Sequence, residues 1–98
     1  MKWRSMTFRV RAGEVPAVEK AIIAFVAKIA DEPGTLSYES FRQADGVSYL
    51  HLMSFADDAA EEAHGQTEHA KRFHAELRAR CDVQPVFIEM NMVSGAGR

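Results

Sequence analysis

Two strand-like runs, TLSYESFRQ (residues 35–43) and VSYLHLMSF (residues 47–55), sit on either side of Ala44-Asp45-Gly46. An Asp-Gly pair between alternating runs is a strong local signal for a β-hairpin, because the tight turn needs backbone angles that glycine adopts without strain. With Asp45 and Gly46 as the two loop residues, Leu36 faces Phe55, Tyr38 faces Met53 and Ser40 faces His51 on one side of the ribbon. Glu39 with Leu52 and Phe41 with Leu50 then occupy the other side, since side chains alternate along a strand. Everything else in the chain has to supply a cover for this hairpin.

The flanking segments supply it. Residues 2–11 alternate, with Arg4, Met6, Phe8 and Val10 on one side and Trp3, Ser5, Thr7, Arg9 and Arg11 on the other, which reads as a first strand. Gly13 and Pro16 open a helix, proline being tolerated in a first turn whose N–H groups lack partners. Val15, Val18, Ile22, Phe25, Val26 and Ile29 recur at helical spacing as one apolar stripe, and Pro33 and Gly34 stop it. After the hairpin, Asp57-Asp58 followed by Glu61 resembles an N-cap with its capping-box glutamate. Gly65 interrupts that helix, and Thr67 recaps a second segment that runs through Phe73 and Leu77 to about Cys81. VQPVFIEMNMV closes the order as a last strand, and residues 94–98, SGAGR, read as a frayed tail.

The order is β-α-β-β-α-β, the ferredoxin-like split βαβ: an α+β fold with a four-stranded antiparallel sheet and helices on one face. Residues 1–98 read as one domain with its core at about 3–93. The uncovered face would carry Phe41, Leu50, Leu52 and Phe87, too apolar to leave in water, so a face-to-face homodimer is expected. Arg9, Glu39, Glu89 and Asn91 are expected on that same face, where the charges could form interface ion pairs.

Composition narrows the functional classes. Twelve Lys and Arg against 14 Asp and Glu give a formal charge of −2 without long like-charge blocks, which argues against a nucleic-acid partner. Cys81 is the sole cysteine, so no intrachain disulfide and no cysteine zinc cluster can form, a composition that suits a reducing cytoplasm. The first residues lack the apolar h-region of a signal peptide, and the longest apolar run falls far short of the ~20 residues of a membrane span.

Three of the 4 histidines lie in EEAHGQTEHAKRFH, residues 61–74: His64, His69 and His74. On a continuous helix five-residue spacing swings each about 140° from the last and would splay the three apart; the break from Gly65 to Thr67 could reset the phase and bring His64 and His69 together, but nothing completes a metal site and none is expected. His74 flanks the Phe73 and Leu77 stripe as an ordinary helix residue. His69 lies in a first helical turn, where the dipole disfavours positive charge. His64 ends the short helix before the break, from where it can turn toward the sheet. Opposite it the hairpin register sets Tyr38, Ser40, His51, Met53 and Phe55, an apolar surface with few polar groups, as small-molecule pockets are lined. No carboxylate stands at a spacing that completes the set, and Glu61 and Glu62 read as a solvated helix face.

At EPGTLSYE, residues 32–39, and AHGQTEHAKRF, residues 63–73, the chain resembles the antibiotic biosynthesis monooxygenase family of dimeric α/β-barrel proteins. The likeness runs over about residues 3 to 93. It implies a ferredoxin-like protomer whose sheets pair in a dimer, with a pocket between helices and sheet in each subunit. Relatives include cofactor-independent monooxygenases of phenols and quinols, haem-degrading enzymes and an isomerase of a small dione. Carried over by position, the motif histidines fall on His64 and His69 and the strand tyrosine on Tyr38. Where many relatives carry a strand glutamate and tryptophan, this chain has Met53 and Phe55. The haem branch is disfavoured because its pocket tryptophan falls on His64 and its first-strand asparagine is missing.

The expectation that the resemblance implies is a cytoplasmic homodimeric monooxygenase that oxidises a small phenol or hydroquinone with dioxygen, without metal or other cofactor. His64 would be the general base and His69 its alternative or second proton carrier. Tyr38, His51 and Ser40 would orient substrate oxygens while Phe8, Met53, Phe55 and Phe73 hold the ring. The rivals are a non-catalytic binding or stress-response module and an isomerase of a small carbonyl compound.

Overall fold

Strand β1 (Lys2–Val10) alternates as the pattern requires, burying Met6, Phe8 and Val10 against the helices. This computed structural model of the protein describes residues 1–97. After one 3-10 turn comes helix α1 (Val15–Ile29), with Pro16 in its first turn and Val18, Ile22, Phe25 and Ile29 turned into the core. Burying each such side chain stabilises the fold by roughly 1.5–3 kcal/mol. Strands β2 (Thr35–Arg42) and β3 (Ser48–Phe55) form the hairpin, helices α2 (Asp58–Gly65) and α3 (Glu68–Arg80) follow, and β4 (Cys81–Met90) completes the sheet. The sheet order is β2-β3-β1-β4 with antiparallel neighbours, the ferredoxin-like arrangement.

The hairpin register is the one the sequence predicts: Tyr38 pairs with Met53, Glu39 with Leu52, Ser40 with His51 and Phe41 with Leu50. The loop itself is longer than two residues. Ser48 O accepts from Gln43 N at 2.8 Å, closing residues 44–47, and Gly46 takes the positive φ of 81°. One extra residue on each side leaves every facing pair unchanged, which is why the register survives a wrong loop length. Asp45 then anchors the loop by accepting from the backbone N–H groups of Val47 and Ser48 at 3.0 and 2.8 Å. The expected pair of Leu36 with Phe55 is not made, because a bulge shifts Thr35 opposite Phe55 and leaves Leu36 exposed.

Strand β4 departs further from expectation. It begins at Cys81, directly after α3, and a register shift against β1 falls between the Thr7–Val86 and Arg9–Val83 pairs. Pro85 stands inside that irregularity, where the missing N–H removes no ladder bond. Phe87 accordingly pairs with Met6 on the helix-covered side, not on the open face. Glu89 lies on that side too, bound to Lys2 at 3.2 Å, while Arg9 pairs with Asp82 of its own chain at 2.9 Å. The open face instead displays Phe41, Val83, Val86 and Ile88, each exposed, beside half-buried Leu50 and Leu52. The total accessible surface of 6242 Å² exceeds the roughly 5,600 Å² typical of a compact monomer of this mass, a surplus to which the bare sheet face and the exposed residues 91–97 both contribute.

Residues 91–97 carry no regular structure, and the last residue of the expected tail, Arg98, lies outside the described residues. Among the described residues no helix is long and apolar enough to cross a membrane.

Candidate active site

The end of α1 delivers the residue that organises the site. After Ile29 the chain makes a tight turn, with Glu32 N donating to Ile29 O at 2.9 Å, and Pro33 prevents the helix from continuing. Gly34 follows because α2 crosses here: a Cβ at Gly34 would lie 2.5 Å from Ala60 Cβ. Ala56 N donates to Gly34 O at 2.9 Å and ties the two segments together. Glu32 is thereby brought under the junction of α2 and α3.

That junction is built by Asp57 and Thr67. Asp57 caps α2 by accepting from Ala60 N at 2.8 Å, which puts Glu61 one position too late for a capping box. Glu61 is not solvated either: its carboxylate accepts from Arg4 at 2.8 Å and pairs with Lys2 at 3.2 Å. Thr67 caps α3, accepting from Ala70 N at 3.1 Å, and its hydroxyl donates back to His64 O at 2.8 Å. The Gly65–Thr67 break therefore resets the helical phase, and His64 and His69 converge on Glu32 despite their spacing.

His64 Nδ1 donates to Glu32 Oε1 at 2.6 Å, His69 Nε2 donates to Glu32 Oε2, and Thr35 Oγ1 donates to Oε1 at 2.7 Å. Burial works against the charged carboxylate, but the hydrogen bonds from His69, Thr35 and His64 outweigh it, and Glu32 is held below the usual carboxylate range. With Nδ1 committed, the remaining ring nitrogen of His64, Nε2, has no hydrogen-bond partner among the described residues.

His64 lines a cavity of about 200 Å³ between the sheet and the helix junction. Tyr38, Met53 and Phe55 of the hairpin line it as well, together with Met6, His74 and Phe87; Arg4 and Glu61 complete the wall. The Arg4 guanidinium stands 5.4 Å from the Phe87 ring centroid. Burial, then the charges of Arg78 and His64, push His74 down, which favours its neutral form.

The other candidate residues lie elsewhere. His69 lines a separate groove of about 420 Å³ between α1 and α3, on the far side of Glu32. Phe73 is buried, stacked on Phe25 with centroids 4.4 Å apart, and Phe8 is buried in a stack with Tyr49 at 5.2 Å. His51 is sealed in the core, its Nδ1 2.6 Å from Tyr38 Oη and its Nε2 2.9 Å from Ser40 Oγ. Burial, then the charge of His74, pushes His51 down to about 4, so the ring is neutral near pH 7 and accepts one of these hydrogen bonds while donating the other. Burial, then the Glu32 carboxylate, drives the Tyr38 phenol well above its ordinary range, which keeps it protonated.

The sequence profile of the antibiotic biosynthesis monooxygenase family matches residues 4–76. The chain belongs to that family. Comparison with curated protein sequences gives no match. Among solved structures, an antibiotic biosynthesis monooxygenase superposes with a TM-score of 0.90 at 21% identity, covering 96% of this chain and 100% of its own. Protein PA3566 from Pseudomonas aeruginosa superposes at 0.85 with 26% identity, covering 95% and 94%. SnoaB, a cofactor-independent oxygenase from Streptomyces nogalater, superposes at 0.85 with 17% identity, covering 99% and 97%. Such identities establish the shared fold, and the family membership supports a monooxygenase-like role.

Within this family frame, Glu32 is the site residue the sequence reading passed over. It heads the EPGTLSYE stretch that carries the family resemblance, where Pro33 and Gly34 stop the helix and Glu32 itself was given no role. Arg4 and Glu61 were also passed over, because their pairing joins residues 57 positions apart and leaves no local spacing signal.

Proposed function

We propose that this protein is a cofactor-independent monooxygenase of a small phenol or hydroquinone, with His64 as the general base. The observation that carries the reading is the orientation of one imidazole. His64 gives its Nδ1–H to a buried carboxylate and keeps Nε2 unpartnered beside an apolar cavity. A neutral nitrogen so held can accept a phenolic proton, and the neighbouring carboxylate stabilises the imidazolium that forms. Phe55, Met53, Met6 and Phe87 suit a flat ring, while the protonated Tyr38 hydroxyl and the Arg4 guanidinium suit its oxygens.

The chemistry balances with dioxygen as sole co-reactant. Loss of the O–H proton leaves an electron-rich phenolate whose ring carbon is oxidised by dioxygen. One oxygen atom stays as a new carbonyl on that carbon, which loses its hydrogen, and the other leaves as water. The product is a quinone. Family membership and the fold shared with a cofactor-independent oxygenase support this reaction over others open to a lone base.

The exposed strip of Phe41, Val83, Val86 and Ile88 supports a homodimer joined through the open sheet face, and the reading includes a cytoplasmic location.

Oxygen uptake by chelator-treated protein with a panel of dihydroxynaphthalenes and larger hydroxyarenes tests the proposal. Uptake above the uncatalysed rate is expected, and it should vanish in His64→Ala. Uptake that persists undiminished in that variant would remove His64 from the role. A folded dimer with no uptake across the panel would transfer the reading to an isomerase of a small carbonyl compound or to a binding module.

A further inference from the structure

We infer that Glu32 is the positioning residue of this site and that His69 serves behind it rather than in the cavity. Glu32 fixes His64 as its Nδ1–H tautomer, and His69 holds the carboxylate in place from the α1/α3 groove. The inference rests on the reading of His64 as the base.

Three observations carry it. First, the two carboxylate oxygens are divided: Oε1 receives His64 Nδ1 and Thr35, and Oε2 receives His69 Nε2. A carboxylate anchored at both oxygens cannot rotate away, so the His64 ring cannot flip without losing its partner. Second, Glu32 is buried, its side chain only 10% exposed, and so acts in a medium where charge stabilisation exceeds that in water. Third, His64 and His69 line different cavities, one between helices and sheet and one between α1 and α3. His69 therefore cannot take a proton from a molecule in the His64 cavity. Its side-chain hydrogen bond goes to the carboxylate, and its ring lies beside Phe25.

Free histidine in water prefers the other tautomer, with hydrogen on Nε2, which would turn a donor rather than a lone pair toward the cavity. The division of roles supplies the opposite one. When the substrate O–H proton moves to His64 Nε2, both ring nitrogens carry hydrogen and the positive charge faces Glu32 directly. The surrounding charged and titratable groups are Tyr38 from β2, His74 from α3, Arg4 from β1 and Glu61 from α2. None of them bonds the His64 ring, so Glu32 is the partner whose removal the ring should register.

The test has a spectroscopic arm and a kinetic arm. Nitrogen-15 NMR of the unliganded protein near pH 8 should place the His64 proton on Nδ1, and Glu32→Leu should move it to Nε2. Glu32→Gln keeps an acceptor but no charge, and guards against loss of fold in the leucine variant. With the best dihydroxynaphthalene of the panel, Glu32→Gln should lower kcat roughly 10- to 100-fold, part of what a positioned base contributes, with KM within about twofold. The acidic limb of its kcat/KM profile should move to lower pH, a change that a merely structural role would not produce. His69→Leu should reduce kcat several-fold and His69→Gln, which can still donate to Oε2, should recover most of it. An Nε2–H tautomer in the unaltered protein, or a pH limb unmoved in Glu32→Gln, would overturn the inference. An Nδ1–H tautomer combined with full turnover by His64→Ala would overturn the base assignment while leaving the Glu32 and His64 pairing intact.

Discussion

Two histidines, His51 and His64, stand over the same hairpin and have opposite fates. His51 is enclosed by two hydroxyls, Tyr38 at 2.6 Å and Ser40 at 2.9 Å, and both of its nitrogens are spent. His64 spends one nitrogen on a carboxylate and keeps the other beside a cavity. Hydroxyl partners satisfy an imidazole without stabilising its charged form, and burial then drives the ring to stay neutral. A carboxylate partner fixes which nitrogen carries the hydrogen and leaves the other as a lone pair. What an imidazole can do is thus decided by the charge of its neighbour and by whether one nitrogen is left over.

The contrast can be broken from either side. Replacing His64 with Ala should reduce turnover by about 10²- to 10⁴-fold, the usual worth of a general base, with little loss of fold; oxygen uptake beside a thermal melt checks both. Replacing His51 should instead change stability and its pH dependence. A histidine held down at about 4 in the fold but near 6.5 when unfolded adds stability that is full above pH 6.5 and is lost as pH falls toward 4. The loss amounts to about 3 kcal/mol, and the difference in unfolding free energy between the unaltered protein and His51→Gln should narrow by that amount over that window. Equal slopes for the two proteins would mean that His51 is not the group held neutral. Glu32, held low, adds a further loss in the more acidic range below the ordinary carboxylate value.

Gly34→Ala sharpens the comparison by disturbing only the carboxylate side. The new Cβ meets Ala60 Cβ, so α2 must shift, at a cost of about 1–3 kcal/mol. Activity should fall with the stability, while the His51 pH window stays as it was. Tyr38→Phe is the mildest of the three stability changes: loss of the hydroxyl leaves His51 Nδ1 without its partner and costs about 1–2 kcal/mol in chemical denaturation.

Much of the fold was legible because its signals are local. The pairs from Tyr38–Met53 to Phe41–Leu50 follow from an Asp-Gly turn and strict alternation, and they tolerate a loop two residues longer. The α1 stripe follows from helical period. Phe87 was assigned to the wrong face because no hairpin ties β4 to β1, so nothing in the sequence near Pro85 specifies the register shift that turns the strand. Leu36 failed for a related reason: the bulge beside it is set by how β2 meets α2 across Gly34.

The site divides along the same line. His64, Tyr38, Met53 and Phe55 share a cavity, and the hairpin register with the helix break at Gly65 was enough to group them. Phe8, Phe73, Ser40 and His51 were grouped with them from the correct strand faces and helical stripe, yet they do not line that cavity. Facing the same side of a sheet does not say whether a side chain meets a space or another side chain.

By itself, the sequence determined the element order, the hairpin register, the capping of α2 and α3 and the family, because each depends on neighbours a few residues apart or on a motif. Only the tertiary structure decided that Glu32 receives both imidazoles, that His69 opens to a different groove from His64, and that Phe87 joins the covered face. The first two depend on packing α1 against a helix junction more than thirty residues away, and the third on the register shift of β4 against β1. A hydrogen bond between two side chains reads their separation in space, and spacing along the chain carries that information only within a single element.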